Sequence, residues 1–247
     1  MLDWDHLGSA SDALPDDAEL VVGIGGGTAL DASKYVALKK DLPLRLVPTA
    51  VSTGAIIHGV FANWKGHSIV ADPKTWPYCD FEHVLVDYDL ILEAPWYLNT
   101  AGIGDVLCMY SGISEWRHQA GTDDTPPVDQ ELIEPTLQYY QDLSAEFPRT
   151  LDSHGDLTAE TIALIMKSIH ERDDRQLTSQ YASGAGHSLT QVLEEVLQTG
   201  LIHGEVAALG GMAVCWAAND YGELVEFMGA CKVRYRPADM GLRKDQL

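Results

Sequence analysis

Positive charge is what this 247-residue chain has least of. Sixteen Lys and Arg stand against 37 Asp and Glu, a formal net charge of −21. That balance argues against nucleic acid or an anionic membrane surface as partner, because their phosphates would be repelled. The acid lies in short clusters such as Asp16-Asp17, Asp123-Asp124 and Asp173-Asp174, which read as solvated surface. Cysteine is scarce too. Cys79, Cys108, Cys215 and Cys231 are far apart and lack paired-ligand spacing, so they read as reduced thiols rather than a disulfide framework. No basic-then-apolar leader opens the chain, and no apolar run reaches the roughly 20 residues that span a bilayer. The expectation is a soluble, cytoplasmic protein without a membrane span.

What the chain does have is a 46% hydrophobic content, ample for one large domain or two small ones, and 22 glycines. Residues 3–14 form a weak helix candidate closed by Pro15. The run 19–24 (Glu-Leu-Val-Val-Gly-Ile) reads as a buried strand that stops on Gly25-Gly26-Gly27, and 28–38 follows as a helix with apolar spacing. Strand, triple glycine and helix form either a phosphate cradle, with glycines letting the backbone approach and helix amides favouring an anion, or a simple tight turn. Lys34 lies two turns into the helix, so this is not a Walker loop. A second strand, 42–47, ends in Pro48-Thr49-Ala50-Val51-Ser52-Thr53-Gly54, a hydroxyl-rich loop at the kind of sheet edge where α/β proteins bind ligands. Those hydroxyls serve either a ligand or local turn capping.

Residues 59–64 and 67–70 read as a hairpin around Lys65-Gly66, and 84–87 as a short strand. From Pro95 onward the spacing turns helical. The predicted helices are 102–116, 130–147 in two pieces split by Pro135, 158–171 behind a Thr158 cap, 188–197, and 204–221. An α/β domain over 1–93 followed by an all-α domain over 94–247 is the expected organisation. The small residues within 207–218 call for tight helix packing, inside one chain or across a homo-oligomer.

Three side chains stand out against this background. Asp105 emerges from Ala101-Gly102-Ile103-Gly104, read as a glycine-rich helix start, and His187 and His203 lie 16 positions apart. Carboxylate oxygen and neutral imidazole together suit zinc, iron or nickel with coordination positions left open. Either histidine alone reads as a hydrogen-bonded structural residue. With Asp105, and each beside a glycine, they read as one ligand set.

Five motifs occur in an order that resembles a known superfamily. They are Gly25-Gly26-Gly27-Thr28-Ala29-Leu30-Asp31-Ala32-Ser33-Lys34, Pro48-Thr49-Ala50-Val51-Ser52-Thr53, Ala101-Gly102-Ile103-Gly104-Asp105, Ser183-Gly184-Ala185-Gly186-His187 and His203-Gly204-Glu205. The chain resembles the iron-containing alcohol dehydrogenases, glycerol dehydrogenases, glycerol-1-phosphate dehydrogenases and dehydroquinate synthases. Glu115-Trp116 makes the glycerol-1-phosphate branch the nearest. The resemblance implies a Rossmann-like nucleotide-binding domain, truncated at its start, joined to a helical domain, with the site in the cleft between them. It implies that Gly25, Gly26, Gly27, Thr28 and Ala29 hold the pyrophosphate of NAD or NADP. Thr49, Ser52 and His58 would lie toward the nicotinamide, and Asp105, His187 and His203 would bind a catalytic divalent metal. Asp105 and Gln191 would face the substrate. The metal would act as a Lewis acid on a ketone or alcohol while the cofactor exchanges hydride.

The chain departs from the branch at Gly54, where an aspartate is usual, at Gln191, where a phosphate-binding histidine is usual, and at His58. It is also expected to be shortened at both ends, as a compact variant or as a fragment. The expected activity is hydride transfer between NAD(P)(H) and a small polar alcohol or ketone. The alternatives are a dehydroquinate-synthase-like lyase or cyclase, and a non-catalytic relative with impaired cofactor binding.

Overall fold

The computed structural model describes residues 4–62, 64–65, 68–69, 77–122, 124–174 and 184–246. In chain order these form helix α1 (Trp4–Asp12), strand β1 (Val21–Gly25), α2 (Gly27–Lys40), β2 (Leu44–Pro48), the short pair β3 (Trp64–Lys65) and β4 (Ser68–Ile69), and β5 (His83–Val84). Then come α3 (Tyr88–Leu92), α4 (Trp96–Val106), α5 (Cys108–Gln119), α6 (Gln130–Glu146), α7 (Ala159–Asp174), α8 (Gly184–Leu197), α9 (His203–Ala217) and α10 (Gly222–Ala230). This is a parallel α/β layer followed by helices, the architecture expected. No helix among the described residues is long and apolar enough to cross a membrane.

The sheet runs β1-β2-β5, all parallel, with Val21 opposite Leu44 and Arg45 opposite His83. β1, α2 and β2 make one βαβ unit, so Gly25 and Pro48 end side by side at the carboxyl edge. The run 19–24 reads as a buried strand, but the structure corrects this: Val22 is 48% and Ile24 61% exposed. Among the described residues β1 is an edge strand, and α2 covers the face carrying Gly23, where an added methyl would strike the Ser33 side chain. The hairpin forms as β3 and β4, shorter than expected, with parts of 63–70 lying outside the described residues.

The helices differ from expectation in four places. The predicted helix 102–116 is two helices, α4 starting earlier at Trp96 and α5 following a break at Leu107. At that break the Tyr140 hydroxyl donates to the Val106 carbonyl (2.6 Å), a side-chain insertion of the kind that bends helices. Asp105 therefore lies in the last turn of α4, not at a helix start. Pro135 does not split α6. It falls in the second turn, where the carbonyl it leaves without a partner belongs to exposed Glu131. α8 begins at Gly184 and contains His187, and α9 stops at Ala217 rather than running to residue 221. The Thr158 cap forms as expected, its hydroxyl accepting from Thr161 N at 3.3 Å.

Most of the buried apolar side chains form one cluster, running from Leu30 and Leu46 in the α/β layer through Ile103, Val106 and Met109 to Phe147, Ile165 and Met228. Two close crossings within the helical layer matter most. Gly104 of α4 and Gly204 of α9 touch backbone to backbone: a methyl on Gly204 would overlap the Ala101 carbonyl, and one on Gly104 would overlap the Gly204 carbonyl. α8 and α9 meet in the same way at Gly186 and Gly210. A buried ion pair, Glu205 Oε1 to Arg234 Nε at 3.0 Å, ties α9 to the segment after α10, and the Arg234 guanidinium lies 4.2 Å from the Tyr97 ring of α4. Gly204→Ala should lower stability by about 1–3 kcal/mol, the usual cost of overpacking, read as a drop in the urea unfolding midpoint. Gly200→Ala, where an added methyl meets nothing within 4 Å, should leave the midpoint within about 0.5 kcal/mol of the parent. Equal midpoints for the two variants would remove the crossing from the account.

Candidate metal centre

The two crossings fix three side chains. Asp105 follows Gly104, His187 follows Gly186, and His203 precedes Gly204, so each backbone contact delivers its neighbour to one point. One ligand atom from each of Asp105, His187 and His203 lies within 4.8 Å of the others. His203 Nε2 is 3.3 Å and His187 Nδ1 is 3.9 Å from Asp105 Oδ1, and the imidazole centroids are 4.8 Å apart at 75°. Ligands on a tetrahedral ion with bonds of about 2.1 Å stand roughly 3.4 Å from one another, so the spacing suits a metal. Asp105 is 2% exposed. Its Oδ1, and His187 Nδ1, are buried without a hydrogen bond of good geometry. Buried polar atoms left in that condition are rare and costly unless another ligand completes them.

The charges are arranged in the same sense. Burial works against ionising Asp105, but the Arg172 guanidinium, with Nη1 3.0 Å from Oδ1, and then His203 outweigh it and hold the carboxyl well below the usual carboxylate range. Burial, helped by the charge of His203, pushes His187 down to about 4, leaving a neutral imidazole at pH 7. His203 moves up: burial opposes its proton, and Asp105 more than compensates.

The glycine turn reaches this cluster through the 49–56 loop. Gly25 has φ +146°, and Gly26 stands before α2 with no side-chain cap, so the first-turn amides have no protein side chain serving them. Thr49 N donates to the Gly25 carbonyl at 3.0 Å, and Gly27 lies against Thr53, which caps a short 3-10 turn at Ala55 N. The next amide, Gly54 N, donates to Asp105 Oδ2 at 3.3 Å. Thr49 and Ser52 are half-buried in this loop, and half-buried His58 follows its turn, its N–H donating to the Gly54 carbonyl at 3.0 Å. Gln191 lies one helical turn beyond His187 on α8 and is half-buried. Thr49, Ser52 and His58 thus lie in or just after the loop that joins the glycine turn to Asp105, and Gln191 lies on the helix that carries His187.

Four contributors were given no role at the site by the sequence. Arg172, in the last turn of α7, is one polar residue among several on an amphipathic helix. Glu115, read only as half of a family dipeptide, accepts from Ala185 N at 2.8 Å and so satisfies the first turn of α8, the helix bearing His187. Asn99 is fully buried and joins α4 to the loop: its Oδ1 accepts from Val51 N and its Nδ2 donates to the Ile91 carbonyl, both at 3.0 Å. Lys34, fully buried, reaches Asp31 (3.2 Å) and the carbonyls of Ala55 (2.7 Å) and Val60 (3.3 Å), pinning the far side of the loop. Burial draws both members of the Asp31–Lys34 pair toward their neutral forms.

Residues 2–95 match the family described as iron-containing alcohol dehydrogenase. Over those residues the chain is similar to the iron-containing alcohol dehydrogenases. The glycerol-1-phosphate dehydrogenase of Haloarcula marismortui, an NAD(P)+ enzyme by name, is 26% identical over 201 residues, covering 79% of this chain and 54% of that protein. The enzyme of the same name from Nitrosopumilus maritimus is 26% identical over 237 residues, covering 94% and 64%. The chain therefore spans little more than half to two thirds of the length of these relatives. Among solved structures, glycerol dehydrogenase from Schizosaccharomyces pombe superposes with a TM-score of 0.68 at 21% identity, covering 99% of this chain and 64% of that one. Sulfoacetaldehyde reductase from Bifidobacterium kashiwanohense, solved with NAD+, gives 0.57 at 16% identity, covering 99% and 72%. These superpositions establish the fold.

Asn99→Ala removes two buried hydrogen bonds at once and leaves Val51 N and the Ile91 carbonyl without them. A loss of about 1–3 kcal/mol in urea unfolding is expected. No loss would mean that the loop is held by other contacts.

Proposed function

We propose that this chain forms the core of a metal-dependent oxidoreductase that transfers hydride between NAD(P)(H) and a small polar alcohol or ketone. The observation that carries the reading is the convergence of Asp105, His187 and His203, with buried Oδ1 and Nδ1 lacking hydrogen bonds, on the loop that also meets the uncapped start of α2. The names of the curated relatives and the NAD+ in a structural neighbour support the same chemistry.

In this reading Asp105, His187 and His203 hold a zinc, iron or nickel ion: Asp105 contributes the charge and the imidazoles contribute neutral nitrogens. A divalent ion so bound supplies Lewis acidity, polarising a carbonyl or acidifying an alcohol. The chain's other residues position the reactants. The amides of Gly25, Gly26, Gly27, Thr28 and Ala29 face the dinucleotide's diphosphate at the positive end of α2. Thr49, Ser52 and His58 line the nicotinamide side, and Asp105 and Gln191 face the substrate. Residues 1–93 form the nucleotide-binding domain and 94–247 the metal-binding domain. Gly54 and Gln191 stand where the glycerol-1-phosphate branch carries acidic and imidazole groups, so the substrate is assigned by class and not as glycerol 1-phosphate. A small-molecule substrate, a cytoplasmic setting and no nucleic-acid partner complete the proposal, the last resting on the net charge of −21.

Asp105→Ala and His203→Ala should each abolish metal retention through purification, measured by elemental analysis. His118→Ala, at an exposed position of α5, should retain the parent stoichiometry. Unchanged metal content in the first two variants would overturn the ligand assignment. Nicotinamide absorbance changes with a panel of small ketones test the hydride transfer itself.

A further inference from the structure

A second buried carboxylate stands outside the ligand set. Glu194 lies on α8 about two helical turns after His187, so both side chains leave the same stripe of that helix. His187 meets His203 with imidazole centroids 4.8 Å apart, and Glu194 Oε1 accepts from Leu201 N at 3.2 Å, two residues before His203. The stripe therefore grips the entry into α9 at two points. Ile202 gives α9 no side-chain cap, and a carboxylate beside this helix start complements its positive end.

The placement is costly. Glu194 is 4% exposed, and its neighbour Leu193 and its partner Leu201 belong to a small apolar cluster with Val206 and Leu242. Its Oε2 is buried and has no hydrogen-bond partner among the described residues. One amide hydrogen bond does not compensate a carboxylate in such surroundings, and a neutral side chain of similar size would fill the place at lower cost. A nearby positive charge does compensate it. Burial pushes the Glu194 carboxyl up, while the Leu201 amide and then His203 draw it down. For His203 burial opposes the proton, and Asp105 and then Glu194 favour it. Charge at His203 is thus felt at Glu194, and a divalent ion held by His203 would bring twice that charge to the same neighbourhood.

We propose that Glu194 is a positioning residue for the metal centre. Anchored on Leu201, its carboxylate fixes the turn that presents His203 and adds a negative charge that favours a divalent ion on Asp105, His187 and His203, without itself touching the ion. This rests on the metal reading above and deepens it.

The test is the Zn2+ affinity of the full chain, measured by competition with a chromophoric chelator and read beside urea unfolding of the metal-free protein. Glu194→Gln keeps an oxygen for Leu201 N and removes the charge. It should weaken Zn2+ binding by about 10- to 100-fold, the usual cost of losing an outer partner of a metal ligand, while the metal-free midpoint stays at or above the parent's because a buried charge has gone. Glu194→Asp, which keeps the charge on a shorter arm, should lose less than Glu194→Gln. Parent affinity in Glu194→Gln would overturn the proposal and leave the metal centre standing. A metal-free midpoint that falls together with Zn2+ affinity, or a Glu194→Gln chain that no longer folds, would also overturn it, since Glu194 would then only pack the turn. So would an aspartate variant weaker than the glutamine one, by showing that the charge does not matter. A parent chain that binds no Zn2+ would remove both readings together.

Discussion

The site depends on helices approaching more closely than side chains allow. Helix axes usually stand 8–10 Å apart because side chains fill the space between them. At Gly104–Gly204 and Gly186–Gly210 the backbones themselves make contact, and an added methyl at any of these positions would run into opposing backbone. Residues next to such a contact are brought together whatever their own preferences. That is how two imidazoles and a carboxylate come to place one ligand atom each within 4.8 Å of the others in a nearly dry place.

The α/β layer enters the same geometry through one loop. Asn99 and Lys34 hold it from opposite sides, both fully buried and each with backbone carbonyl or amide partners on it or beside it. Between them the loop touches the glycine turn at Gly27 and the carboxylate at Asp105. The start of α2 and the three convergent side chains are thus positioned by shared main chain rather than by separate scaffolds, which is the arrangement a two-reactant site requires.

Much of this was legible in the sequence, for identifiable reasons. Three consecutive glycines between an apolar run and a helical pattern can hardly be anything but a turn, and Asp105, His187 and His203 drew notice because each adjoins a glycine. The meaning of those glycines was only half legible. Gly102 and Gly104 look like a loose helix start, but they lie inside α4, where the Val51 and Gly204 carbonyls press against them. A helix-breaking composition and a close crossing leave the same mark in sequence. Arg172 was hidden because periodicity separates polar from apolar faces and does not say which polar residue meets a carboxylate far away in sequence. The exposure of Val22 and Ile24 was hidden because an all-apolar strand is written alike whether one face or both are covered.

The contact between Gly54 and Asp105 is made by main chain. Every amino acid except proline brings the same N–H to that place, so the identity of residue 54 can drift, reshaping the wall of the cleft, while the carboxylate keeps its anchor. A scaffold wired in this way separates what a pocket recognises from what holds its reactive centre in register, and leaves the first free to vary.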